Sequence, residues 1–226
     1  MGTISQDTIE TAIDTTADTV LRNEKYFSDL DGLAGDGDFG TSLATGFKVI
    51  KKDLPDIEKP DIGAMLLKLS MLVSKHVGGS SGPIWGTGFM KAGLAAKGKT
   101  EVSLTEFAAM LDNATTGIMA RGGAQLGDKT LLDALIPVTD RVKAAAADGA
   151  SDLKAVLADC AAIADKAVDE TRTLVAHRGR ASQVGQRSAN TPDPGIVAIA
   201  TILADWCGKF GIDHSPTADE VNKAKA

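Results

Sequence analysis

Three aspartates, Asp31, Asp36 and Asp38, fall within eight residues around the glycine-rich stretch GLAGDGDFG (32–40). Carboxylates packed this closely repel one another. A folded site that holds them together therefore calls for a divalent cation, and hard oxygen ligands favour Mg2+ or Ca2+ over zinc or copper. The same residues also compose an acidic, solvated turn, because Asp and Gly are common turn residues, and composition alone leaves both readings open. Asp29 lies to one side and reads as a capping or solvent-facing residue. Neither Asp29 nor Asp36 is followed by a glutamate eleven positions later, so the stretch is no EF-hand loop.

Glycine also clusters in GGSSG (78–82), in GGAQLGDK (122–129) and in HRGRASQVGQRSANTPDPG (177–195). A helical protein needs glycine at some helix ends. It does not need four dense loops that carry Asp, Ser, Thr and Arg. Gathered at one end of a bundle, such loops offer backbone N–H groups and helix N-termini to an anion. Two familiar phosphate signatures are decoys. Gly35, Gly37 and Gly40 satisfy GxGxxG, but the dinucleotide fingerprint requires a preceding strand, and the preceding segment reads as a helix. GGAQLGDKT resembles a P-loop with an aspartate inserted before the lysine, again with no strand ahead of it.

The elements that must position these loops are helices. The chain has 226 residues, 43% hydrophobic and 24% charged, a globular balance with enough length to bury a core. Apolar residues recur near a 3.6-residue period over 4–28 (Ile9, Ile13, Val20, Leu21), over 61–77 (Met65, Leu66, Leu69, Leu72, Val73) and over 195–207 (Ile196, Ile199, Ala200, Leu203, Cys207). Further helices are expected at 41–53, 83–97, 103–120, 131–148 and 151–175, and Ser103 with Glu106 forms a capping-box match. The pattern predicts one all-α domain of about eight helices across residues 1–226. Acidic side chains outnumber basic ones by 30 to 24, a poor start for binding nucleic acid. Two cysteines without CxxC spacing, Cys160 and Cys207, read as core residues of a chain in a reducing compartment. The opening MGTISQDTIETAID is polar and acidic, unlike a signal or transit peptide, and no apolar run approaches membrane-spanning length. A cytoplasmic location is the expectation.

With these motifs set in order, the chain resembles a known family. LDGLAGDGDFGTSLATGF is similar to the LDxxxGDGDxGxxxxxGF signature of the nucleotide-binding subunit of dihydroxyacetone kinases. GGSSGPIWGTGF, GDKTLLDALIP, and GRASQVGQRS followed by DPG agree in the same order, so the resemblance covers nearly the whole chain. It implies a barrel of eight antiparallel helices with ADP or ATP and two Mg2+ ions at one end. On that resemblance Asp31, Asp36 and Asp38 are the magnesium ligands. Phe39, Gly40, Thr41 and Ser42 match the segment that opens the next helix toward phosphate, and Ser80 and Ser81 match a second phosphate loop. Gly122 and Leu131 match the adenine and ribose pocket, Arg180 matches a nucleotide-contacting arginine, and Asp193, Pro194 and Gly195 match a closing loop. The chain departs from the pattern at Phe39, where many members carry histidine, and at Gln183, where tyrosine is common. ANTPDPGI replaces the usual approach to the DPG turn.

The resemblance further implies phosphoryl transfer to a ketose bound on a partner kinase subunit through that subunit's histidine, with no catalytic residue required in this chain. Accordingly His76, His177 and His214 receive no sugar-binding role. His76 complements a helix dipole, His177 neighbours the nucleotide loop, and His214 reads as exposed. Two donor schemes exist among relatives: ATP as exchanging substrate, or bound ADP rephosphorylated in trans by a phosphotransferase-system protein. Expected assemblies are therefore the ketose-binding subunit, such a donor protein, and a homodimer, with neither nucleic acid nor membrane as partner. The alternative from a different class is a non-catalytic Mg-ADP-binding regulator acting on a transcriptional regulator.

Overall fold

Helix formation follows from where polar side chains can close the free N–H groups of a first turn. A computed structural model describes residues 2–214, which contain nine α-helices and a two-stranded sheet. Ser5 caps α1 (Gln6–Arg22), accepting from Thr8 N at 3.2 Å. Asp61 caps α4 (Ile62–His76) through Ala64 N at 2.8 Å, and Asp152 caps α8 (Leu153–Thr171) through Ala155 N at 3.0 Å. Ser103 and Glu106 form the expected capping box at the start of α6 (Leu104–Gly122). The remaining helices are α2 (Glu24–Asp31), α3 (Phe39–Asp53), α5 (Ser81–Ala95), α7 (Leu132–Ala147) and α9 (Pro194–Lys209).

Eight of the helices close a ring. Following α1, each of α3 to α9 packs on its predecessor in the ring, and α9 returns to α1, while α2 bridges α1 and α3. Each helix runs against its ring neighbours, because alternate connections meet at opposite ends. At one end Gln6 N donates to Thr100 O, Gln6 Nε2 to Lys59 O, and Ile62 N to Lys99 O. There Thr3–Ser5 (β1) also pairs antiparallel with Glu101–Ser103 (β2). The opposite end gathers residues 32–38, 77–80, 123–131 and 172–193.

Two apolar cores fill the ring, one centred on α1, α3 and α4, the other on α2 and α6–α9. Phe39 and Phe107 pack against both. Phe47 is fully buried, with its ring edge-on to Trp85 at 5.9 Å; burying such a side chain contributes about 2–3 kcal/mol. Between the cores lies an apolar cavity of about 460 Å3, lined by Trp85, Phe89, Phe107, Met110 and Trp206 among others. Cys160 and Cys207 are buried as expected, and burial pushes the Cys160 thiol up to about 12. No helix among the described residues is long and apolar enough to cross a membrane.

Three expectations are corrected. Residues 4–28 are not one helix: the chain breaks at Asn23, whose side chain turns back to Thr19 O at 2.8 Å, and α2 sets off from there. The short β1–β2 pair was not expected. His214 is not exposed, because its Nε2 lies 2.7 Å from Asp165 Oδ2 and its side chain is 14% accessible. The closest approach that positions the aspartates is at Gly40, where a Cβ would fall inside the van der Waals surface of Glu24 O and 2.7 Å from Ser28 N. Gly40→Ala is therefore expected to cost about 2 kcal/mol or more in a denaturant melt. Gly208→Ala on α9, which meets open space, should be neutral or stabilise by up to about 1 kcal/mol. Equal effects of the two substitutions would refute this account of the α2–α3 junction.

Candidate functional site

The chain leaving α2 turns sharply enough to bring three carboxylates together. Asp31 is the last residue of α2, Asp36 lies in the following loop, and Asp38 directly precedes α3. One carboxylate oxygen from each lies within 4.8 Å of the other two. The turn depends on Gly35, because a Cβ there would run into the Asp31 carboxylate. Asp31 is half-buried, and Phe39 N donates to its Oδ2 at 3.3 Å. Burial, then the nearby Asp36 charge, raise its pKa against the lowering effect of backbone donors. Asp36 and Asp38 are exposed and face the same point. The oxygen spacing is what a hard divalent cation can span with bonds of about 2.1–2.4 Å, so the residues present fit the ion that their chemistry calls for.

Around the aspartates the helix starts differ from those at the far end of the ring. There α1, α4, α6 and α8 all begin with a side-chain cap. At the site end Asp38, Ser80 and Leu131 precede α3, α5 and α7 without a side-chain capping bond. Neighbouring side chains close part of two of these starts, since Thr41 N of α3 donates to Ser28 Oγ and Leu132 N of α7 to Thr130 Oγ1, and α9 at the same end is capped by Asp193. Among the described residues the first turn of α5 is left without a side-chain cap. That is the arrangement which receives an anion. The first turn of α3 is held in place by Ser28, whose Oγ accepts from Thr41 N at 3.2 Å.

The residues expected to hold nucleotide surround this mouth, and they do so unequally. Thr41 and Ser80 are exposed, and Ser42 and Ser81 half-buried. The two segments abut, since a Cβ at Gly78 would lie 2.9 Å from Ser42 Oγ. Gly122 is exposed at the end of α6, beside Ile84 of α5. Leu131 packs against Gly195, where a Cβ would sit 3.1 Å from the Leu131 Cβ. The exposed Arg180 reaches across the mouth, with its Nε 3.0 Å from Asp36 Oδ2. Other residues turn inward. The Phe39 ring packs on both cores, 6.2 Å from the Phe27 ring, so toward the mouth this position offers only backbone. Gly40 and Gly195 are buried. The helix expected over 41–53 begins earlier, at Phe39. Asp193 is the N-cap of α9, accepting from Ile196 N at 2.9 Å with Pro194 as the first helical residue. His177 is exposed, and its N–H donates to Asp128 O at 3.0 Å.

Two buried groups that organise these loops were not singled out from sequence. Asp133 on α7 accepts from Gly127 N at 2.6 Å and from Thr130 N at 2.8 Å, which folds residues 127–130 back onto the helix. Lys129 is 2% exposed inside that fold. A [ST]-x-x-[DE] match at Thr130–Asp133 was the available sequence signal for the first. For the second there was none beyond the rejected P-loop spacing.

Burial pushes the Asp193 carboxyl up to about 7, with Asp133 adding to the rise and Lys129 opposing it. The folded protein therefore keeps this proton up to about pH 7, whereas an unfolded chain releases it near 3.8. Between those values the native state binds more protons, so this group's contribution makes stability fall as pH rises through the window. Asp193→Asn retains an oxygen for Ile196 N and removes the titration. Its melting temperature should gain a few degrees on the parent between pH 5 and pH 7.5; parallel pH profiles for the two proteins would contradict the assignment.

Comparison with known proteins agrees with this fold. The DAK2 domain model matches residues 33–208. The chain is 33% identical over 186 residues to the ADP-binding subunit DhaL of the PEP-dependent dihydroxyacetone kinase of Escherichia coli, covering 82% of this chain and 88% of that protein. It is 36% identical over 178 residues to the corresponding subunit of PEP-dependent dihydroxyacetone kinase 2 of Listeria innocua, covering 78% and 82%. The fold is similar to the crystal structure of the dihydroxyacetone kinase of C. freundii in its native form, with a TM-score of 0.69 at 21% identity. That match takes in 90% of this chain but only 34% of that one. With a helical ring, an aspartate cluster at its mouth and a family match over most of its length, the chain belongs to the DAK2 domain family.

Proposed function

We propose that this chain is the Mg-nucleotide-binding subunit of a dihydroxyacetone-type ketose kinase. It would deliver a phosphoryl group from ATP, or from bound ADP rephosphorylated in trans, to a ketose held on a partner subunit. The observation that carries the reading is the convergence of three carboxylate oxygens within 4.8 Å at the end of the ring where α5 starts without a side-chain cap. The names of the E. coli and L. innocua relatives, ADP-binding subunits of dihydroxyacetone kinases, support the choice of ligand and of a multi-subunit enzyme.

Each residue then has a physical task. Asp31, Asp36 and Asp38 would hold two Mg2+ ions, which would supply charge neutralisation for the nucleotide phosphates. The first turn of α5, with the Thr41, Ser42, Ser80 and Ser81 hydroxyls, would donate to phosphate from a positive helix end. Arg180 exchanges its Asp36 carboxylate for phosphate oxygen, a substitution that its planar fork suits. Gly122 and Leu131 border the base and ribose, where Leu131 provides the apolar contact. Phosphoryl transfer asks for positioning and electrostatic stabilisation more than covalent chemistry, so this chain needs no nucleophile of its own. Phe39 at the position of the family's histidine leaves the aspartates untouched and removes one polar side chain from the mouth.

Calorimetric titration of ADP into the nucleotide-stripped protein, with and without Mg2+, tests the reading. Mg2+-dependent binding at micromolar affinity or tighter, roughly −8 kcal/mol, is expected. Asp36→Asn should abolish it while the far-ultraviolet circular dichroism stays that of a helical protein. A variant that binds Mg-ADP like its parent would overturn the metal assignment. Very slow ADP release marks the bound-cofactor scheme, and rapid exchange marks ATP as the donor.

A further inference from the structure

Residues 123–131 and 172–193 meet at one buried cation. The Lys129 backbone is left-handed, with φ +60°, and the side chain runs inward rather than toward the mouth. Its Nζ donates to Arg172 O at 3.0 Å, Leu174 O at 2.8 Å and Ser188 O at 2.7 Å. An ammonium has three donors, and here all three are taken by carbonyls. Nothing is left to offer a phosphate, so a P-loop role is closed to this lysine. Burial pulls its pKa down to about 8, with Asp193 as the opposing charge that favours the ammonium.

The three acceptors are not scattered. Arg172 and Leu174 leave the end of α8, and Ser188 closes the 3-10 segment Arg180–Ser188. They are the two ends of one loop, and at its tip side stands Arg180. The same ends are tied by Asn190 N to Arg172 O at 2.9 Å and by Ala176 N to Ser188 Oγ at 2.9 Å. Loops of this length whose ends meet are compact units, and fixing the neck removes much of the freedom of what lies between. The tip carries no comparable clamp. Its links across the site are the backbone bond from His177 N to Asp128 O at 3.0 Å and contacts from two exposed side chains, Arg178 Nε to Gly123 O at 2.7 Å and Asp128 Oδ2 at 3.7 Å, and Arg180 Nε to Asp36 Oδ2 at 3.0 Å.

We propose that Lys129 is a positioning residue for the nucleotide site: its ammonium clasps the neck of the 174–188 loop and thereby sets where Arg180 stands over the aspartates. The binding part of this inference rests on the nucleotide reading above, whereas the clasp itself does not. With the neck held in advance, the loop is ordered before the ligand arrives, and that cost falls outside the binding step.

A double-mutant cycle on Mg-ADP affinity separates positioning from general support. Lys129→Met, similar in length and without donors, should weaken binding by about tenfold or more; in an Arg180→Ala background the same change should cost less than about threefold, because the group being positioned is gone. An equal loss in both backgrounds, or no loss in either, overturns the proposal. Amide exchange in Lys129→Met should accelerate within 172–193 and stay unchanged in α1 to α5; unchanged protection of the Ala176 and Asn190 amides would also overturn it. If Lys129→Met does not fold, the parent decides. A clasped ammonium gives a slowly exchanging Lys 15N signal, and the neck amides of Ala176 and Asn190 are protected without nucleotide. Absence of both refutes the clasp. Failure of the parent to bind Mg-ADP would sink the nucleotide reading and leave the clasp to the exchange measurement.

Discussion

Mutual repulsion among Asp31, Asp36 and Asp38 is the interaction that the surrounding structure exists to hold in check. Left to itself, a flexible acidic turn would spread its carboxylates into water. Here α2 delivers Asp31 half-buried, Gly35 permits the chain to fold over its carboxylate, and Phe39 N returns a donor to it. The Phe39 ring, anchored in both cores, fixes the position at which α3 begins. Arg180 adds an opposite charge from another loop. The raised pKa of Asp31, driven first by burial and then by Asp36, records the strain of this gathering. A divalent cation bound between the three carboxylates would relieve the same repulsion.

Ring closure explains why one end of the molecule became the site. An even number of helices running alternately up and down places every second connection at the same end. At the far end the helix starts are capped by Ser5, Asp61, Ser103 and Asp152, and a small sheet seals the edge. At the near end the connections are glycine-rich; Asp193 caps α9, Ser28 and Thr130 take first-turn donors of α3 and α7, and α5 starts without a side-chain cap. The missing cap at α5 forgoes about 1 kcal/mol of local stability. The asymmetry is hard to understand as packing, because both ends close the same helices. It follows directly if the near end is stabilised by a ligand.

How much of this can be seen in the sequence depends on range. Helices α3 to α9 were legible because their apolar stripes are local, helped at α6 by a capping box, and the aspartate cluster because its members fall within eight residues. The break at Asn23 was not legible. Apolar positions continue through Val20, Leu21 and Phe27, and only packing against α3 shows that α2 takes a new direction. Three-residue strands that pair Ile4 with Val102 leave no periodic trace at all. His214 seemed part of a polar tail, and a carboxylate 49 residues away holds it. The motif matches supplied the site residues as a set but could not separate Arg180, which faces the mouth, from Asp193, which spends its carboxyl on a helix cap.

Lys129 and Arg180 show why residue type and motif spacing are insufficient without direction. Both are cations in glycine-rich segments, and both would count as phosphate ligands in a motif search. A lysine that binds phosphate must keep donors free, and Lys129 has spent all three on carbonyls 43, 45 and 59 residues away. Its compact ammonium suits a cage of three converging oxygens, which a planar guanidinium would not fill. Arg180 has the complementary properties. It is exposed, it holds one carboxylate at the mouth, and its fork has further donors for an incoming anion. The division of labour also accounts for the low cost of keeping Arg180 in reach. A loop clasped by a buried charge confines its tip without placing any group in the path of the ligand, so confinement and access need not compete.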